Sequence, residues 1–180
     1  FAYSDPISAF SADRRQCTDT QKDQIMQFEI QQTMRQFVDV QAVDLAQVSR
    51  FTPADFRTGI QWLLSEDKIA LAQALADAGL SLHPESEDVL AVAGLLAAAQ
   101  QDWPLAIELL KDLRAVQGES TQPMTYQMLA RAQYCNLDVP QARQTLDEGL
   151  MAWPGNPLLL GELDAMQADL NGLSAATQIR

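Results

Sequence analysis

Between residues 86 and 117 the apolar positions follow a helical period, stop, and begin again. The stretch SEDVLAVAGLLAAAQQDWPLAIELLKDLRAVQ reads as two helices joined by the turn Gln101-Asp102-Trp103-Pro104. The first helix holds Leu90, Gly94 and Ala97, and the second holds Ala106, Leu110 and Leu113. Small residues stand where two helices would cross closely, with large apolar residues beside them. Such a hairpin cannot bury its apolar face alone and needs copies of itself on either side.

The chain supplies those copies. Upstream, Thr52-Pro53 opens a helix, with Thr as N-cap, Pro in the first turn and Asp55 near the positive end of the dipole. This helix is predicted over 54–64, and its partner over 68–82, before Pro84. Downstream, a third hairpin is predicted over 123–135 and 139–153, closed by Pro154-Gly155-Asn156. The repeats thus span 53–86, 87–120 and 123–156. A closing helix over 157–171 is expected to stop at Asn171-Gly172, with a fraying tail.

Ahead of the repeats, residues 19–51 form an N-terminal helical segment. Residues 19–37 carry the apolar face Ile25, Met26, Phe28, Ile30, Met34 and Phe37. Residues 38–51 contain Val38-x-Val40, where helix and strand are hard to separate, and read as a short helix or irregular connector. Residues 1–18 show no period and read as a flexible arm.

Ala72 and Ala106 hold matching places 34 residues apart, whereas Ala106 and Ala142 are 36 apart. The difference implies a two-residue insertion within 118–122. Pro84 and Pro154 each follow their alanine by 12 residues. A helix–turn–helix period of 34 is that of the tetratricopeptide (TPR) repeat. The chain resembles that family at Leu90, Gly94, Ala97, Trp103, Ala106 and Leu110 in the middle repeat. The third repeat matches at Tyr126, Leu129, Ala130, Ala142, Leu146, Gly149, Leu150 and Pro154, and the first at Phe56, Leu63, Ile69, Ala72, Gly79 and Pro84. The first repeat carries its small residue, Gly59, one place early, and the middle repeat has Gly118 where the family has proline. The resemblance covers about Pro53 to Leu170 and implies an all-α solenoid: three TPR-type hairpins, a closing helix and an N-terminal helix.

In that family the first helix of each hairpin lines a concave face. By position, that face receives Arg57, Gln61 and Leu64 from the first repeat; Asp88, Ala91, Leu95, Ala98 and Ala99 from the second; and Met124, Gln127, Arg131, Tyr134 and Cys135 from the third. Its middle is apolar, and its ends carry Arg57 and Arg131. This suits an extended or helical peptide with hydrophobic anchors. The competing reading has Ala91, Leu95 and Ala98 covered by the N-terminal segment or by a second subunit. The Lys, Arg and Asn cluster with which some TPR domains grip a C-terminal carboxylate is absent.

Charge and composition narrow the function. The 180 residues carry a net charge of −12, which repels phosphate backbones and disfavours nucleic acid and anionic membranes as partners. No run approaches the roughly 18 apolar residues of a membrane span. No signal peptide is visible, although the start at Phe1 is compatible with a processed chain. Cys17 and Cys135 allow one disulfide in an oxidising compartment; we read both as free thiols, with Cys135 packed in a helix.

His83, the single histidine, stands at a helix end without ligand partners at metal-binding spacing. No nucleophile, zinc or phosphate-loop motif occurs. Glu85, Glu87 and Asp88 read as a solvated helix start. Trp62, Trp103, Trp153 and the six methionines read as packing or groove filler. No enzyme activity and no cofactor are expected.

The overall layout resembles the class II chaperones of bacterial type III secretion. That resemblance rests on an N-terminal helix, a connector, three hairpins and a closing helix in a small acidic chain. The stretch Val48 to Ala72 resembles that family's lead-in to its first repeat, and YQMLARAQYC (126–135) resembles its counterpart loosely. The resemblance implies a cytoplasmic protein whose groove holds an extended segment of a hydrophobic translocator and keeps it soluble. Leu64, Ala91, Leu95, Ala98, Met124, Gln127, Arg131 and Tyr134 would line that groove, and the N-terminal helix would support a homodimer. The alternative is a periplasmic TPR scaffold in an envelope, pilus or secretion complex, in which the start at Phe1 and a Cys17–Cys135 bond would find a place.

Overall fold

The computed structural model describes residues 28–40 and 42–177. The arm at 1–18, the first part of the expected N-terminal helix and Cys17 lie outside the described residues. Every regular element described is helical. Helix α1 occupies 28–40. A single turn, α2 (Leu45–Val48), follows in the ambiguous connector. Three hairpins then run α3 (Pro53–Ser65) with α4 (Ile69–Leu82), α5 (Glu87–Ala99) with α6 (Trp103–Gln117), and α7 (Pro123–Cys135) with α8 (Val139–Ala152). Helix α9 (Pro157–Thr177) closes the array. It does not stop at Asn171-Gly172. One helical glycine costs only about 1 kcal/mol relative to alanine, and the Leu-Ser-Ala-Ala that follows favours helix.

Local chemistry sets these boundaries. Thr52 and Asp55 form a reciprocal capping box: Asp55 N donates to Thr52 Oγ1 at 3.4 Å, and Thr52 N donates to Asp55 Oδ2 at 2.8 Å. Asp102 and Asp138 cap the second helices of their repeats through Leu105 N and Gln141 N. Each hairpin turn is closed in the same way. Asp67, Gln101 and Leu137 adopt φ of 58°, 62° and 65°. The amide after each one reaches back to the last turn of the first helix: Lys68 N to Leu63 O, Asp102 N to Ala97 O, and Asp138 N to Gln133 O. These are Schellman turns built without glycine.

The hairpins stack as a solenoid. Each second helix packs against its own first helix and against the next first helix. First helices also meet in sequence, with one exception: α3–α5 and α7–α9 pack along their lengths, but α5 and α7 barely touch. The exception falls at the inserted residues. There Gly118–Ser120 form a 3-10 turn, and Gly118 takes φ 55°. The core divides at the same place. One buried cluster runs from Ile30 to Leu113 and takes in Leu129 and Ala132; a second gathers Tyr126, Ala130, Ala142, Leu146, Leu159 and Met166.

Helix α1 covers the start of the array. Ile30, Met34 and Phe37 are buried, while Phe28 is exposed. A methyl group at Gly59 would lie 3.0 Å from Leu75 Cδ2 and 3.2 Å from Met34 Sδ. The early glycine of the first repeat therefore makes room for α1.

Candidate functional site

The concave positions come from α3, α5 and α7, and the structure divides them into three groups. Arg57 and Asp88 form an ion pair between α3 and α5, Nη1 to Oδ1 at 2.7 Å, with both side chains partly exposed. Gln61 is exposed beside it, and Leu64 and Ala91 are half-buried. In the middle, Leu95, Ala98, Met124, Gln127 and Arg131 line one hollow of about 430 Å³, together with Ala99, Trp103, Leu110, Met128 and Ala132. Leu95 and Met124 remain 49% and 50% exposed, so two large apolar side chains face outward across it.

The hollow exists because α5 and α7 stand apart. Its floor comes from α6, through Trp103 and the wholly buried Leu110. The sequence pattern assigns Trp103 to packing and Met128 to core or groove filler. Their part in the hollow becomes visible once the two-residue insertion is translated into a gap between two first helices.

The third group sits where α7 meets α9. Glu162 of α9 is buried, and both its oxygens are taken: Oε1 accepts from Arg131 Nε at 3.0 Å and Oε2 from Gln127 Nε2 at 3.1 Å. Sequence reasoning missed Glu162. The available signal was a carboxylate at the place where earlier repeats carry Val92 and Met128. The two arginines expected to flank the groove are thus both held by carboxylates.

Tyr134 is half-buried, packed with the cluster that includes Leu159 and Met166. Desolvation, followed by the negative charge of Asp169, raises its phenol above the ordinary value of 10.0. Cys135 carries a free thiol at the end of α7; it is exposed and not packed as expected, because helix and core end together there.

His83 has a structural role. Its Nε2 lies 3.1 Å from Phe51 O, and since a carbonyl only accepts, Nε2 bears the proton. Trp153 Nε1 donates to Thr121 O at 2.9 Å at the equivalent place of the third repeat. Both residues cap the end of a second helix and clasp the chain just before their own first helix. Among the described residues no cluster of acidic, His or Cys side chains could hold a metal ion, and no helix is long and apolar enough to cross a membrane.

No protein-family model matches the chain, and no curated protein does. Among solved structures, it is similar to the second TPR domain of the human RPAP3 protein, determined by NMR in complex with the HSP70 peptide SGPTIEEVD. The TM-score is 0.55 at 15% sequence identity, over 64% of this chain and 98% of that one. The chain therefore has an all-α, TPR-like helical solenoid fold.

Proposed function

We propose that this chain is a non-catalytic protein-binding module that holds an extended segment of a client on its concave face. The apolar hollow between α5 and α7 carries this reading: it lies on the face lined by first helices, and its walls hold Leu95 and Met124 half open to solvent. Exposed apolar walls flanked by ordered polar groups suit side-chain anchors on a peptide. The neighbouring TPR domain's peptide complex supports the same use of the fold.

Within that reading, the chain acts as a cytoplasmic chaperone of the class II type III secretion kind, keeping an apolar translocator segment soluble. The order of elements supports this reading: α1, a short connector, three hairpins and a closing helix. Its test starts by capturing partners of the full chain from the native host and producing each captured protein alone. An apolar partner that is insoluble alone and soluble with this chain is the expected result. Leu95→Asp with Met124→Asp should remove the rescue while leaving helix content unchanged. Rescue that survives both substitutions, or a set of partners that are folded and soluble alone, would overturn the chaperone reading; the second outcome would favour a scaffold.

A further inference from the structure

Glu162 is the one charged side chain buried within the described core. Its two bonds fix Arg131 and Gln127 without exhausting them. Among the described residues Arg131 engages Glu162 through Nε alone, which leaves its terminal amino groups to a ligand, and its side chain is 64% exposed. Gln127 donates through Nε2 and keeps Oε1 as an acceptor. Both side chains also line the hollow, whose wall contains no carboxylate. An apolar hollow edged by a fixed guanidinium with spare donors is complementary to an apolar side chain next to a negative charge. A basic neighbour would be set against Arg131, and an uncharged one would leave those donors to water.

We propose that the groove's occupant is a partner's peptide segment in which a bulky apolar residue stands beside Asp or Glu. The apolar side chain fills the hollow and the carboxylate meets Arg131. Gln127 Oε1 accepts a backbone N–H of the same segment. Glu162 is a positioning residue: it touches no ligand, but it aims the two that do. This rests on the concave face being a peptide-binding surface. The net charge of −12 opposes an acidic partner at long range, so the preference shows in the ratio of affinities for matched peptides more than in absolute affinity.

The probe is an array of 15-residue peptides, each with one Leu, Met or Phe followed by Glu, Gln or Lys, incubated with the full chain. Glu peptides are expected to bind on the order of fivefold more tightly than their Gln counterparts, the range of a partly exposed ion pair. Arg131→Gln should abolish that ratio while apolar binding persists. Glu162→Asp, which keeps the charge but draws the carboxylate back from Arg131 and Gln127, should reduce it, and because the ratio does not depend on the fraction of folded protein, mere destabilisation would leave it unchanged. Equal binding of Glu and Gln peptides, or a preference for Lys, would overturn the proposal but leave the peptide-binding reading standing. Binding of no peptide would overturn both. Two other occupants are read from the same samples: a dimer by sedimentation that Leu95→Asp converts to monomer would assign the hollow to a second copy, and crosslinks from the hollow to residues 1–27 would assign it to the N-terminal segment, either of which would overturn the proposal.

Discussion

Gly149 and Gly161 are both helical glycines, and their surroundings give the same substitution opposite signs. A methyl group at Gly149 would lie 2.9 Å from Tyr126 Cγ and 3.1 Å from Leu159 Cδ1, whereas one at Gly161 would meet nothing within 4 Å. Gly149→Ala should therefore destabilise by about 1–3 kcal/mol through overpacking. Gly161→Ala should stabilise by about 0.5–1 kcal/mol through helix propensity. Urea unfolding of the two variants checks this, and equal shifts would contradict the close fit of Gly149 against Tyr126. The first repeat uses the same fit, with Gly79 between Phe56 and Val89. The middle repeat carries Leu90 and Leu113 at the matching places, two medium side chains in place of one aromatic and one glycine. Such fits were legible in the sequence because they recur at one spacing. The residue at the turn was not. Asp67, Gln101 and Leu137 hold a left-handed conformation with no glycine to announce it, since the amides that each turn satisfies outweigh a backbone cost of about 1–2 kcal/mol.

The second helices meet across the back of the array through Arg114 of α6 and Glu148 of α8, 2.6 Å apart, with Arg114 also lying over the Tyr126 ring at 4.9 Å. Hydrogen bonds from Gln144 and then Arg114 hold the Glu148 carboxyl below its usual value of 4.5. A lowered carboxylate pKa means that folding favours the ionised form. The resulting stability is complete above the unfolded value and fades as pH falls through the folded one. Glu148→Gln should thus lower the urea midpoint at pH 7 and cost progressively less as pH falls below 4.5; a loss that does not change with pH would show that the ionised pair contributes nothing. At this scale the three hairpins were readable from periodicity and capping residues. The α5–α7 gap was readable only as two extra residues, because spacing along a chain does not state which neighbour gives way.

Two buried clusters in one solenoid imply two cooperative parts. Thr121, Thr125, Gln133 and Thr145 are buried in and around the third hairpin, and polar contacts such as Thr125 Oγ1 to Gln117 Oε1 at 2.8 Å join it to α6 beside the apolar packing of Leu129 and Ala132. Amide exchange of α8 and α9 should therefore proceed through an opening that leaves α3–α6 protected. Leu146→Ala should accelerate exchange in α8 and α9 alone, as read by mass spectrometry. Acceleration throughout the chain would show a single unit.

Helix α9 carries one more consequence. Leu159, Leu163 and Met166 turn toward the preceding hairpin, Leu159 and Met166 buried and Leu163 half-buried. The face that α3, α5 and α7 each give to their own second helix carries Asp164 and Gln167 in α9, where α7 has Ala130 and Gln133. Another copy stacked end-on against this face would strip water from the exposed Asp164 carboxylate, which has no ion-pair partner among the described residues. A molecule built of stacked hairpins invites head-to-tail growth into filaments, and burying Asp164 would set a desolvation cost against growth on this face of α9.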